Sequence, residues 1–282
     1  KSRTQKLISH AWGFFNLEID AQFLNMGKLV ISHASGVLPD GSLFEIGNEK
    51  EPLAVDVPPN TNSTPVYLAL PLVTSNHVET RRPNQKDVLA RFTAHETEVA
   101  DSNAGDSSAS QVSCAQPDFR LLLGQHPNEQ AFVRLQICEI QDSTPDAVIS
   151  LNPEYVPTYL HSHASSYLLS CMKEVVSMLA HRGDMLAERI RATGKMGSAE
   201  VGDFMMLQLI NRCEPVLRHL LNMEQVHPEQ IYRELLAMLG ELSTYASDSK
   251  RPKHDSRYQH SDQGQSFRKL MDAIRQVLSM VL

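Results

Sequence analysis

The sequence predicts an α+β chain of two domains, an N-terminal antiparallel β-sandwich over residues 1–155 and a four-helix bundle over residues 156–282. Three observations carry this reading. Up to about Asn152 the apolar residues come in short runs broken by Gly, Pro, Asn and Ser, as strands and turns require. After Pro157 they recur in steps of three and four, the spacing of amphipathic helices. The 282 residues are enough for each half to bury a core of its own.

In the first half, Leu29, Ile31 and His33 alternate along one predicted strand. Pro39-Asp40-Gly41 then predicts a turn, because Pro presets φ and Asp-Gly tolerates left-handed geometry. Further strands are predicted at 53–57, 66–70, 88–97, 121–123, 132–140 and 148–151. Short strands in series with no helical stretch between them form antiparallel sandwiches or barrels. Two polar stretches interrupt them. Residues 74–86, with Arg81 and Arg82, read as a loop and a candidate partner contact. Residues 101–116 read as a mobile loop, too polar and small to pack. Trp12, the sole Trp, sits in Trp12-Gly13-Phe14-Phe15, an aromatic cluster that serves either a core or an interface.

Four helices follow. The first begins near Thr158 and carries Ala164, Leu168, Cys171, Val175 and Met178 on one face, running past Gly183 to Ile190. The second carries Met206, Ile210, Cys213, Leu217 and Leu220, and the third Ile231, Leu235, Met238, Leu242 and Tyr245. The fourth carries Phe267, Leu270, Ile274, Val277 and Val281. Steps that alternate between four and three make the seam of a bundle. His227-Pro228-Glu229 places Pro at a first helical position with an acid in the first turn, and Asp262 with Gln265 makes a capping pair. Pro215 is expected to kink the second helix, since a lost hydrogen bond and a ring clash cost about 3 kcal/mol. Outside its seam that helix also carries Val201, Phe204, Met205, Leu207, Leu209 and Val216. A helix apolar on most sides needs cover on most sides. These six are the predicted oligomerisation residues, the alternative being a helix central in its own domain.

Charge and chemistry narrow the function. The net charge is −7, distributed as −8 over residues 1–155 (11 basic, 19 acidic) and +1 over 156–282 (15 and 14). An acidic β half argues against nucleic acid, whose affinity rests on Lys and Arg neutralising phosphates. The short basic run Lys250-Arg251-Pro252-Lys253-His254 reads as a solvated loop. No apolar run approaches the roughly 20 residues of a membrane span, and no secretion signal opens the chain. Both ends read as cut from a longer protein. Cys114, Cys138, Cys171 and Cys213 are scattered without a C-x-x-C pair, as in a reducing, cytoplasmic compartment. His161 and His163 fall on opposite sides of a helix. His254 and His260, near Asp255 and Asp262, read as loop caps and solvated groups and not as metal ligands. With no Gly-rich phosphate loop, G-x-S-x-G or H-E-x-x-H, no catalytic residue, cofactor or metal is predicted. The leading expectation is an assembly component and not an enzyme. The alternative is an oligomeric ligand-binding or enzymatic domain with a pocket in the β half.

Several segments point to a family. They are Trp12-Gly13-Phe14 with Leu17-Glu18-Ile19-Asp20, Gly36-Val37-Leu38-Pro39-Asp40-Gly41, and Tyr155-Val156-Pro157. Further along come His227-Pro228-Glu229-Gln230-Ile231-Tyr232-Arg233-Glu234-Leu235, Gly240-Glu241-Leu242, and Tyr258-Gln259-His260 with Ser266, Phe267 and Leu270. In this order they resemble the TssK (ImpJ, VasE) family of the type VI secretion baseplate. The resemblance implies a homotrimeric structural adaptor, with no cofactor and no insertion into the membrane. A β shoulder, similar to that of phage receptor-binding proteins, would attach to baseplate wedge proteins. A helical neck would hold three copies together. A C-terminal head, absent from this chain, would dock on the cytoplasmic face of the membrane complex. Trp12, Phe14, Arg81 and Arg82 are the candidate wedge contacts. The chain departs from the family pattern before Trp12 and after Leu282.

Overall fold

In a computed structural model, the described residues are 10–47, 52–73, 78–82, 84–85, 88–100, 109–193, 198–245, 250–252 and 257–280. They fall into two compact units. One is Leu17–Asn152, and the other joins residues 10–16 to Pro153–Leu282.

The first unit is built from mainly antiparallel sheets. Its strands are β1 (Gly13–Ile19, which begins in the second unit), β2 (Lys28–Val37), β3 (Leu43–Ile46), β4 (Leu53–Asp56) and β5 (Asn62–Pro71). Then come β6 (Thr80–Arg81), β7 (Phe92–Ala100), β8 (Ala109–Pro117), β9 (Arg120–Leu123), β10 (Phe132–Ser143) and β11 (Ile149–Leu151). One sheet has the order β1-β2-β3 with β4 also on β2, the second β11-β10-β5-β9, and the third β6-β7-β8. The central pair is β5 and β10, where Leu68 faces Leu135 and Leu70 faces Val133. Leu29, Ile31, Leu38, Leu68, Ile137 and Ile140 are all fully buried. The predicted turn after β2 closes as expected. Leu38 N–H donates to Ser42 O at 2.9 Å, Gly41 takes φ +83°, and Asp40 Oδ1 accepts from Ser42 N–H.

The stretch 101–116 departs from its expectation. Ala109–Pro117 is a strand, paired antiparallel with β7 along its whole length from Ala100↔Ala109 to Phe92↔Pro117. Ser110, Gln111, Val112 and Ser113 are all exposed, so both faces meet solvent and no apolar alternation marks the strand. Backbone pairing to β7 holds it. Residues 101–108 of that expectation lie outside the described ones. Within 74–86, Thr80 and Arg81 form β6, which runs parallel to β7.

The second unit is helical: α1 (Ser166–Thr193), α2 (Ser198–Asn222), α3 (Pro228–Leu242) and α4 (Gln263–Met280). One core gathers Leu168, Cys171 and Val175 with Met206, Ile210, Cys213, Leu217 and Leu220. It also takes in Ile231, Leu235, Met238, Leu242, Phe267, Leu270, Ile274 and Val277. The predicted seams are therefore the packed ones except at Ala164, which lies in a 3-10 turn before the first helix and outside this core; Val281 lies outside the described residues. The first helix starts at Ser166 and not near Thr158, because residues 158–160 are extended and paired with the N-terminal segment. Pro228 opens α3 with Glu229 in the first turn, and His227 Nδ1 accepts from Glu229 N–H. Asp262 Oδ1 caps Gln265 N–H at 3.1 Å. α2 continues through Pro215, which is exposed, so its ring faces solvent.

Candidate functional site

Of the six large hydrophobics left exposed among the described residues of the helical unit, four lie on α2. At about 100° per residue, Val201, Phe204, Met205 and Val216 lie within roughly 120° of arc. They remain 48%, 49%, 53% and 42% exposed. The opposite side, with Met206, Ile210, Cys213 and Leu217, is buried. The six predicted oligomerisation residues thus divide. Leu209 is buried and Leu207 packs partly against the core, so these two serve the unit itself. The other four form a stripe that the described residues leave about half exposed. Arg189 of α1 pairs with Asp203 beside it.

Trp12 and Phe14 belong to a different arrangement. Phe14 N–H donates to Thr158 O at 2.8 Å, and Leu160 N–H donates to Phe14 O at 2.9 Å, so the N-terminal segment runs parallel to residues 158–160. Gly13 permits the approach. Its φ is +139°, and a Cβ there would stand 2.6 Å from Thr158 O. On the neighbouring peptide, the fully buried Gln263 grips Tyr159: its Nε2 donates to Tyr159 O at 2.8 Å and its Oε1 accepts from Tyr159 N–H at 3.1 Å. Phe14 itself is fully buried beside Tyr159. As a candidate surface contact it is therefore corrected: its ring packs inside this unit.

Three imidazoles reach the segment's carbonyl oxygens. His227 Nε2 lies 3.1 Å from His10 O, His260 Nε2 lies 2.6 Å from Trp12 O, and His161 Nε2 lies 2.9 Å from Phe15 O. A carbonyl only accepts, so each Nε2 carries a proton and donates it. His227 Nδ1 accepts from Glu229 N–H at 3.1 Å, and His260 Nδ1 accepts from Tyr258 O–H at 2.9 Å. Both rings are thus held neutral. Burial above all pushes His260 down to about 4, against the pull of the Trp12 carbonyl and with further lowering from His227 and His10. Burial also lowers His227. The expectation of a solvated loop His260 fails because its ring is buried against Trp12, His10 and His227; His254 lies outside the described residues. No group of three or more His, Cys, Asp or Glu among the described residues is arranged to hold a metal.

In the β unit, Arg81 is a packing residue, its guanidinium on Asp118 Oδ1 at 3.0 Å, while Arg120 takes the other carboxylate oxygen. Arg82 is exposed. Sequence reasoning missed Arg91. It is buried and donates to Pro71 O, Asp40 Oδ2 and Ser42 Oγ, tying the β2–β3 turn to the end of β5. Beside it lies a cleft of ≈ 100 Å³ lined by Leu72, Val73, Val78, Glu79, Leu89 and Ala131. Sites for drug-sized ligands run to about 300–1,000 Å³, so this cleft takes no more than a side chain.

The fold is that of a β unit and a helical unit, with four exposed apolar side chains on one face of α2. The chain belongs to the bacterial type VI secretion family described by the names EvfL, ImpJ and VasE, which it matches over residues 1–282. It is 34% identical over 281 residues to the type VI secretion system baseplate component TssK1 of Pseudomonas aeruginosa, covering 99% of this chain and 63% of that protein. A crystal structure of TssK superposes with a TM-score of 0.92 at 28% identity, over 99% of this chain and 63% of that one. The same fold recurs, at 23% identity and a TM-score of 0.80, in the TssK–TssF–TssG baseplate subcomplex, over 99% of this chain and 89% of that one. The chain thus spans 63% of the length of TssK1.

Proposed function

We propose that this chain is the shoulder-and-neck part of a baseplate adaptor that works by binding proteins and not by catalysis. In this reading three copies meet through the α2 stripe, and the β unit carries the contact to wedge proteins. Docking on the cytoplasmic face of the membrane complex belongs to the part of the family outside the 63% of TssK1 matched here. The observation that carries the reading is the stripe itself: four half-exposed apolar side chains on one face of a helix whose other face is packed. Exposed apolar side chains gathered on one helix face are a mark of protein contacts. The choice of partners is supported by the solved subcomplex, which contains TssF and TssG. The adaptor works in the cytoplasm, a placement with which the four free cysteines agree. Among the described residues no helix is long and apolar enough to cross a membrane.

The test is co-purification of the full chain with its own organism's counterparts of TssF and TssG, with and without substitutions. Arg82→Glu in the β unit should weaken capture and leave the mass of the free protein unchanged. Phe204→Glu should lower that mass and weaken capture only through the loss of multivalency. Capture abolished by the helical substitution and untouched by changes across the β unit would reverse the assignment of roles.

A further inference from the structure

We propose that residues 10–15 form an acid-releasable strap, pinned to the helical unit by three imidazoles that donate to three of its carbonyl oxygens. The argument starts from hydrogen-bond chemistry. His227 and His260 each present Nε2–H to the strap, at His10 O and Trp12 O, and His161 does the same at Phe15 O. On the far side of His260, Nδ1 receives Tyr258 O–H at 2.9 Å, with the Gln263 amide N–H 3.4 Å away. On the far side of His227, Nδ1 receives the Glu229 N–H at the start of α3. A proton added at either Nδ1 displaces those donors, and at His227 it also sets positive charge at a helix N-terminus.

The groups around the pair oppose a second charge. The His10 ring stands 4.9 Å from that of His260, and the His227 ring 5.4 Å from it, nearly parallel at 18°. Burial raises the Tyr258 phenol and keeps it neutral, and the Tyr232 ring packs against it at 5.3 Å. Glu229 on α3 is the anion that favours protonation of His227, and Asp262 before α4 is engaged with Gln265 N–H. Once the strap leaves, the rings meet water and regain ordinary basicity. The sign follows from proton binding. The pinned state binds fewer protons than the released one, so its advantage is complete above about pH 6.5 and declines as pH falls toward the pinned value of about 4. If His260 alone returns to 6.5 on release, the opening equilibrium rises about thirtyfold between about pH 8 and about pH 5.

Trp12 makes the test direct, because it is the only Trp in the chain and lies edge-on to His260 at 4.8 Å. Tryptophan emission of the full chain, followed from about pH 8 to about pH 4, should shift to the red. Far-UV circular dichroism should hold over the same range. His227→Gln with His260→Gln keeps an N–H donor at each place without a titrating ring, and should remove the transition. Amide exchange in the unsubstituted chain supplies a second readout. After correction for intrinsic rates, Phe14 and Leu160 N–H should lose about thirtyfold protection by about pH 5, while the β10 amides keep theirs. Emission that stays flat, emission that changes only together with the circular dichroism, or a transition that survives in the double variant would each overturn the strap. So would equal loss of protection at Phe14 and in β10.

Discussion

Phe204→Glu is the sharpest test of the α2 stripe. A Phe side chain presents roughly 200 Å², and Phe204 is 49% exposed in a single chain. About 100 Å² therefore awaits burial, worth about 2.5 kcal/mol per copy at about 25 cal/mol per Å². For three copies the loss is about 7 kcal/mol, or about five decades in the trimer dissociation constant. That constant has units of concentration squared, so the midpoint concentration should rise by several hundredfold, about 300-fold. Light scattering across a dilution series reads this directly against the 31.5 kDa of one chain. The unsubstituted protein should give three times that mass, and Phe204→Glu should fall toward one copy at the same concentration. Val112→Glu, a change at a 43%-exposed site on β8, controls for lost apolar surface elsewhere. Circular dichroism should not change for either. An unsubstituted protein of one-chain mass at tens of micromolar would refute the reasoning, as would a Phe204→Glu protein of undiminished mass.

Four further outcomes follow from packing and charge. Leu217→Ala and Ile274→Ala, at buried positions of the shared core, should each destabilise the helical unit by about 2–5 kcal/mol in denaturant titrations. His161→Ala removes one hydrogen bond and should cost about 1 kcal/mol. Gly13→Ala should increase amide exchange at Phe14 and Leu160 even at neutral pH, because its Cβ would meet Thr158 O at 2.6 Å and its φ is +139°. Asp40 sets an acid limb on the β unit. Burial opposes its charge, but the Ser42 N–H and hydroxyl and the Arg91 guanidinium outweigh burial and hold its pKa below 3.8. The native state thus binds fewer protons, so stability is full above that value and falls as the pH drops through the lower native one. Asp40→Asn should flatten that part of a pH–stability profile.

What could be read from the sequence was whatever repeats along one element. The helical seams were legible because 3-4 spacing survives regardless of neighbours, and Pro39-Asp40-Gly41 was legible because a turn is decided within four residues. β8 was not, since a strand exposed on both faces carries no alternation and depends on β7 for its hydrogen bonds. Nor was the start of α1, which yields residues 158–160 to a partner more than 140 positions earlier in the chain. The α2 stripe was half legible. Surplus apolar residues flagged the helix, but periodicity alone did not separate Leu209, buried, from Phe204, exposed.

The strap was least legible, although the resemblance to the family rests in part on the residues that build it. Trp12-Gly13-Phe14 supplies the carbonyls and the glycine that allows close approach. Val156 packs where a Cβ on Gly264 would come within 3.2 Å, at the first turn of α4. His227-Pro228-Glu229 supplies both a helix cap and a donor, and Tyr258-Gln259-His260 supplies a second donor and the hydroxyl that fixes its tautomer. Ser266 Oγ accepts from Gln259 N–H at 3.0 Å and holds that loop against α4. Read singly, each segment has a bland local meaning as a cap, a turn or an aromatic pair. Together they satisfy one requirement: the carbonyls of His10, Trp12 and Phe15 must find donors where the segment packs against the helical unit. Imidazole rings meet that requirement from a distance, and a neutral ring that donates on one side and accepts on the other is also one that acid can change.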